Sequence, residues 1–331
     1  MKPVRIGVLG CSRIARKSVF RAIQDSPYAE LAMIGSRDAE VARTCAEEFG
    51  CGSGTYEDVL NNKIIDAVYL SLPNTEHEEW VLKAAQAQKH VWCEKPAALT
   101  YASAKRMVEE CKKRSVRLME GLMFRFHPQH TKVREFLDAG VIGESLRLDA
   151  CFAFPMPKGG NILDKKLGGG AYYDACPYPI YAARMIFGTE PLSAICSVKM
   201  DEALGVPVRA DMILEFPEGR SALVSSMFGS YYQSYYDILG TEGRIRTERA
   251  FPVAPDREVK LFLYKNDAID EIPIQPADHF RIMVDFFCKE IALGSAGSAR
   301  YEEDLLAQAL VLEAGMKSYE EKRIVQLAEL N

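Results

Sequence analysis

Val4-Arg5-Ile6-Gly7-Val8-Leu9-Gly10-Cys11-Ser12-Arg13-Ile14-Ala15 is the stretch on which the fold turns. Val4 to Leu9 is an apolar run of strand length, and a helical pattern follows over 13–25 until Ser26-Pro27 ends it. A strand that enters a helix through a glycine turn aims backbone N–H groups and the positive end of the helix dipole at one point, which suits a diphosphate. The usual pattern is G-x-G-x-x-G/A; here Gly10 and Ala15 match its ends and Ser12 replaces its middle glycine. Serine is small, and its hydroxyl can donate to phosphate. A glycine turn that binds nothing is the plain alternative, and the surrounding pattern has to decide between the two.

That pattern is an alternation. Further buried-strand runs read at 31–35, 65–70, 90–93 and 117–120, with helical patterns at 38–49, 75–88 and 100–114 between them. Strands separated by single helices with short connections imply right-handed βαβ units, hence a parallel, doubly wound sheet of Rossmann type. After about residue 122 the rhythm changes. Leu146, Leu148, Ala150, Phe152 and Phe154 alternate with polar residues, and strand-like runs recur at 192–200, 209–216, 221–229, 231–239, 243–248 and 259–264. So many strands with so few helices predict a large, open, mainly antiparallel sheet in a C-terminal α+β domain. Helical patterns return at 278–293 and 302–320. The division expected is residues 1–121 for the dinucleotide-binding domain and 122–331 for a substrate-binding and oligomerisation domain, with the last helix free to pack back on the first. The length of 331 residues agrees, at about 150 residues per domain.

Composition removes other classes. Apolar residues make up 48% and charged residues 26%, as in ordinary globular proteins. The formal charge of −5 argues against nucleic acid as the main partner. No apolar run is long enough to span a membrane, and nothing like a secretory signal precedes the first strand. The nine cysteines stand singly with no C-x-x-C, which reads as reduced thiols of a cytoplasmic protein and not as a disulfide framework or zinc site.

Three places carry chemistry. The second strand ends Gly35-Ser36-Arg37-Asp38. An NAD site usually places an acid there for the ribose 2′-hydroxyl; Ser36 and Arg37 instead suit a 2′-phosphate, so the expected cofactor is NADP(H). The fourth strand runs into Glu94-Lys95-Pro96, at the carboxyl edge where ligands of such sheets bind. A lysine beside a positively charged nicotinamide has its pKa lowered, which brings proton transfer toward neutrality. In Gly168-Gly169-Gly170-Ala171-Tyr172-Tyr173-Asp174-Ala175-Cys176-Pro177-Tyr178, the glycines permit close backbone approach, and Asp174 and Tyr178, four apart, are expected on one face of an incipient helix whose first turn tolerates Pro177.

The glycine turn, the third strand ending Ser71-Leu72-Pro73-Asn74 with His77 just beyond, and Glu94-Lys95-Pro96 at this spacing together resemble the Gfo/Idh/MocA oxidoreductase family over nearly the whole chain. The resemblance implies that Gly10, Cys11, Ser12, Arg13, Ile14, Ser36, Arg37, Leu72, Pro73, Asn74, His77, Glu94 and Lys95 bind the cofactor. It makes Lys95 the anchor of the substrate oxygen. The glycine-rich run resembles the family's second signature with two departures: Cys176 stands for a glycine, and Tyr178 for the common catalytic histidine. Tyrosine there is similar to the branch of NDP-hexose 3-ketoreductases, D-xylose dehydrogenases and dimeric dihydrodiol dehydrogenases. This implies Lys95, Tyr178 and Asp174 as the catalytic set, with Tyr172, Tyr173 and Tyr181 as competitors for the tyrosine's place.

The same resemblance implies Lys95, Arg125, His127, Asp174 and Tyr178 as substrate contacts. No metal is expected, since His127 and His130 have no acidic or cysteine partners near them in sequence. The leading reading is an NADP(H)-dependent oxidoreductase of a sugar carbonyl or secondary alcohol, most simply a nucleotide-linked keto-sugar. The alternatives are a dehydrogenase of a free sugar or cyclic diol, and a non-catalytic NADP-sensing regulator. Partners expected are a sugar or nucleotide-sugar and further copies of the chain, as a homodimer or homotetramer through the C-terminal sheet, with the Tyr231–Tyr236 aromatics at that interface.

Overall fold

In the computed structural model, residues 2–294 and 299–331 are described. They form two compact units, Met1–Met123 with Phe280–Leu306, and Phe124–His279 with Ala307–Asn331. The division expected at 121/122 falls at 123/124, and the chain returns to the first unit over 280–306.

The first unit is a six-stranded sheet in the order β3-β2-β1-β4-β5-β6. Its strands are β1 (Val4–Leu9), β2 (Ala29–Gly35), β3 (Gly52–Gly54), β4 (Ala67–Leu70), β5 (His90–Cys93) and β6 (Leu118–Glu120), and every pairing is parallel. Ile6, Val8, Leu9, Val68, Tyr69, Leu70, Val91 and Trp92 are all but inaccessible, which is why these segments read as continuous apolar runs. The first helix covers 13–24; it has a widened π-type turn over Ala15–Val19 and becomes α-helical as α1 (Phe20–Gln24). Then follow α2 (Ala39–Phe49), α3 (Tyr56–Asn61), α4 (His77–Gln86) and α5 (Tyr101–Lys113). β3 and α3 were not expected. Gly52-Ser53-Gly54 has no side chains of strand type, and α3 is a six-residue helix held by a Thr55–Asp58 capping box. The strand order reverses between β1 and β4, which opens the crevice in which doubly wound sheets bind ligands.

The returning segment seals the β6 edge of this sheet. Glu302 accepts hydrogen bonds from the Arg117 side chain (3.1 Å) and from the Leu118 amide (3.0 Å), and the Arg117 guanidinium lies over the Tyr301 ring at 4.8 Å. A covered edge cannot recruit a foreign strand.

The second unit holds α6 (Pro128–Asp138), α7 (Ala171–Asp174) and α8 (Pro177–Phe187), and a nine-stranded sheet in the order β14-β13-β12-β11-β7-β10-β9-β8-β15. The strands are β7 (Ser145–Phe154), β8 (Ser193–Met200), β9 (Pro207–Glu215), β10 (Ser221–Phe228), β11 (Gln233–Gly240), β12 (Arg244–Thr247), β13 (Val259–Lys265), β14 (Ala268–Ile274) and β15 (Val325–Gln326). Pairing is antiparallel except between β7 and β10, as the period-two pattern implied. α9 (His279–Leu293) and α10 (Tyr301–Glu321) close the chain. α10 serves both units: within the second, the Tyr172 hydroxyl donates to Leu312 O at 2.5 Å, and the Cys196 amide to Ser318 Oγ at 3.0 Å.

Candidate active site

The carboxyl ends of β1, β4, β5 and β6 carry the first unit's candidate residues. Gly10 has φ +101°, and a Cβ there would lie 2.5 Å from Ser71 O. Only glycine lets the β1 turn and the β4 turn approach this closely. The same closeness joins Ser12 Oγ to Ser71 Oγ in a hydrogen bond, and Ser12 Oγ accepts from the Ala15 amide at 3.2 Å. Ser12 therefore caps the helix start as well as filling a glycine's place. Arg13 is exposed there and has no ion-pair partner among the described residues. A glycine cradle, a helix start and an unspent cation fit a dinucleotide diphosphate. At the end of β2, Ser36 Oγ accepts from the Asp38 amide (3.2 Å) and Asp38 caps α2. Arg37 is two-thirds exposed and ion-paired with Glu76 at 3.0 Å, a pairing with no local sequence signal.

Glu94-Lys95-Pro96 leaves β5 with a cis Lys95–Pro96 bond and is pinned from several directions. Tyr69 on β4 donates to Glu94 Oε1 at 2.7 Å. The Ala97 amide donates to Glu120 Oε1 at 2.8 Å, and the Lys95 amide to Glu94 Oε2 at 3.4 Å. His77 has both ring nitrogens against backbone carbonyls, Pro96 O at 3.0 Å and Leu72 O at 3.1 Å. His77 is inaccessible, and burial pushes its pKa down. Its ring ties the Leu72 turn to the Pro96 turn. Tyr69 and Glu120 are site residues the sequence reading missed. Their signal was available, because both stand at or near the carboxyl ends of parallel strands. Lys95 is half-buried, Asn74 opens the turn before α4, and Leu72 and Pro73 are buried.

The second unit supplies the other candidates. Gly168 and Gly170 have φ +74° and +116°, and a Cβ on Gly170 would meet Pro207 at 2.6 Å. The glycines thus serve close approach, as expected. The helix expected to carry both Asp174 and Tyr178 is broken: α7 ends at Asp174, and α8 begins at Pro177, which takes the first helical position because it has no N–H to lose. Asp174 is half-buried. Tyr178 is 5% exposed and stands among aromatic rings, with centroids at 5.0 Å from Phe152, 5.6 Å from Phe251 and 5.7 Å from Phe124. Of its competitors, Tyr172 is wholly buried with its hydroxyl spent on Leu312 O, and Tyr181 accepts a hydrogen bond from Arg125. Arg125 is half-buried and stacks on Phe126 at 4.8 Å.

His127 is inaccessible and its Nδ1 accepts from the Gln129 amide at 3.3 Å, so it caps α6. Its Nε2 is buried and has no hydrogen-bond partner among the described residues. His130 and His279 are buried beside it, and burial lowers the pKa of His127 to about 4 and of the other two to about 3. The Tyr231–Tyr236 run divides: Tyr231 is 85% exposed, and Tyr236 is core, donating to His130 Nδ1 at 2.8 Å while His130 Nε2–H donates to Ala250 O at 3.0 Å. Among the described residues no grouping of three or more His, Cys, Asp or Glu side chains forms a metal site, and no helix is long and apolar enough to cross a membrane.

Residues 4–122 match the model of the oxidoreductase family with an NAD-binding Rossmann fold, and residues 130–246 match the Gfo/Idh/MocA C-terminal domain. The chain is a Gfo/Idh/MocA oxidoreductase. Members similar to it include the dTDP-3,4-didehydro-2,6-dideoxy-alpha-D-glucose 3-reductase of Saccharopolyspora spinosa, 33% identical over 95% of this chain and 96% of that one. The D-xylose 1-dehydrogenase (NADP(+)) 2 of Haloferax volcanii is 33% identical over 90% and 92%. Among solved structures, a 3-ketoreductase from Actinomadura kijaniata in complex with NADP and TDP-benzene superposes with a TM-score of 0.91 at 30% identity, covering 96% of this chain and 98% of that one.

Proposed function

We propose that this oxidoreductase uses NADP(H) to reduce a keto group of a nucleotide-linked sugar. Residues 10–14 bind the cofactor diphosphate at the helix start, and Ser36 and Arg37 bind the 2′-phosphate. Leu72, Pro73 and Asn74 flank the nicotinamide end. The cofactor supplies the hydride. Lys95, held by the Tyr69–Glu94 and Ala97–Glu120 hydrogen bonds, presents its ammonium to the substrate oxygen and stabilises the negative charge that grows there. Tyr178 gives the oxygen its proton through Oη. Asp174 and Arg125 bind sugar hydroxyls.

The observation that carries this reading is the placement of the tyrosines. Tyr172 is consumed by the core, whereas Tyr178 stands at the start of α8 on an aromatic wall, the kind of surface that packs against a sugar ring. Reduction of a TDP-linked 3-keto-sugar, followed by NADPH absorbance, tests it. Tyr178→Phe is expected to fold, to bind NADPH and to lose about 10²–10⁴ in turnover. Wild-type-like turnover in that variant, with loss in Tyr181→Phe, would overturn the assignment. A second reading, oxidation of free D-xylose, draws on the Haloferax relative's equal identity; activity on D-xylose and none on nucleotide-linked sugars would favour it.

The same reading includes assembly through the outer face of the larger sheet. Ile195 and Ile213 are 43% and 45% exposed and lie in one cross-strand row with Leu223. A row of this kind needs a cover, and a second copy supplies it. Sedimentation as a single 37 kDa species would overturn this.

A further inference from the structure

One end of the larger sheet gathers residues that the motifs do not include. β7 and β10 finish there at Phe154 and Phe228, and β11 starts there at Gln233. The segment 249–251 runs beside the start of β11: the Ala250 amide donates to Ser234 O at 2.7 Å and the Phe251 amide to Ser234 Oγ at 3.1 Å. Arg249 O accepts from Gln129 Nε2 at 2.9 Å. The backbone of Arg249 is therefore fixed, and its guanidinium lies over the Tyr232 ring at 4.5 Å. Tyr232 in turn neighbours Phe152 at 6.5 Å, and Phe152 neighbours Tyr178 at 5.0 Å. A continuous aromatic path thus leads from the proposed proton donor to a cation.

Arg249 differs from the other arginines of this sheet. Arg244 and Arg246 are ion-paired with Asp237, and Arg209 with Asp211. Arg249 has no carboxylate partner among the described residues. Stacking on a ring holds the guanidinium plane and leaves its edge, with its N–H donors, unspent. Such an edge matches the paired oxygens of a phosphate. We propose that Arg249, shelved on Tyr232, binds the diphosphate of a nucleotide-linked sugar whose sugar ring lies against Tyr178. This rests on the nucleotide-sugar reading above and names the residue that would select for it.

The test titrates thymidine diphosphate into the NADP-loaded enzyme by calorimetry, beside steady-state kinetics on a TDP-linked keto-sugar. Arg249→Ala is expected to weaken thymidine diphosphate about 10- to 100-fold, the loss of a charge-assisted hydrogen bond, and to raise KM by a similar factor while kcat holds. Arg249→Lys, which keeps a charge but not the fork, recovers only part of this. Inorganic pyrophosphate competes with the nucleotide in the wild type, a measurement that needs no variant. Unchanged nucleotide affinity in Arg249→Ala, or no competition by pyrophosphate, overturns the arginine's role and leaves the nucleotide-sugar reading standing. A wild type that ignores thymidine diphosphate and oxidises D-xylose overturns both.

Discussion

All five histidines of this chain have pKa values pushed below the ordinary value of 6.5. His127, His130 and His279 are the strongest cases, at about 4, 3 and 3, because they are buried and His127 repels the charged forms of the other two. The hydrogen bonds of His130 fit only the neutral ring: Ala250 O must accept from Nε2–H, which leaves Nδ1 to accept from Tyr236. In the unfolded chain all three protonate near 6.5. Below that pH the unfolded state binds more protons, so stability falls as pH falls; above it the contribution is complete. Each histidine costs about 1.4 kcal/mol per pH unit below 6.5, and three cost about 4 kcal/mol per unit until about pH 4. Between pH 6.5 and pH 5 the loss is about 6 kcal/mol, comparable with a whole domain's stability of about 5–15 kcal/mol. Carboxylates held low, such as Asp66 beside Arg5 and Glu329 at about 2 beside Arg323, act in the same direction only below about pH 4.5.

Urea unfolding at pH 7.5, 6.5, 5.5 and 5.0 measures this. Far-UV circular dichroism is the suitable signal, because both tryptophans, Trp80 and Trp92, lie in the first unit and the three strongly shifted histidines in the second. Stability is expected to be flat from 7.5 to about 6.5 and then to fall steeply. A flat line down to pH 5 would refute the argument. Removing one shifted group, as in His279→Asn, should lessen the slope by about 1.4 kcal/mol per pH unit.

Three further outcomes follow from particular contacts. Gly10→Ala should abolish NADPH binding in a fluorescence titration, because its Cβ would strike Ser71 O in a backbone region that alanine avoids. Arg37→Ala should weaken NADPH about 10- to 100-fold and leave NADH nearly unchanged, and Glu76→Gln, which frees Arg37 from its ion pair, should tighten NADPH; equal losses for both cofactors would contradict the 2′-phosphate role. Tyr172→Phe should cost about 1 kcal/mol of stability, for the lost bond to Leu312 O, with turnover intact; loss of turnover at full stability would mean that Tyr172, not Tyr178, serves the chemistry.

Periodicity carried the architecture well where its physical cause is local. Parallel strands buried on both faces are mostly apolar, so β4 and the core of β1 and β5 stand out as runs. The period of two in β7 comes from a sheet with helices on one face only. The misses have equally definite causes. Gly52-Ser53-Gly54 pairs through its backbone alone, which no side-chain pattern reports. The one helix expected to carry Asp174 and Tyr178 is two, because Pro177 takes a first helical position and starts α8 anew.

The candidate site divides along the same line. The residue types of the glycine turn and of Glu94-Lys95-Pro96 were plain from their positions at strand ends. What surrounds them was not, because the partners come from remote parts of the chain: Glu94 is held by Tyr69, Ala97 by Glu120, and Pro96 by His77. His77 and His127 are expected contacts because the resemblance places them beside cofactor and substrate; that both rings are inaccessible is set by every segment packed around them, which no local pattern reports. The converse holds for Arg249, one arginine among many in the sequence, which becomes distinct only when its neighbours' charges are paired and its own is not. A motif identifies which side chain can react; the pairing of charges around it identifies which of the remaining side chains are still free to bind.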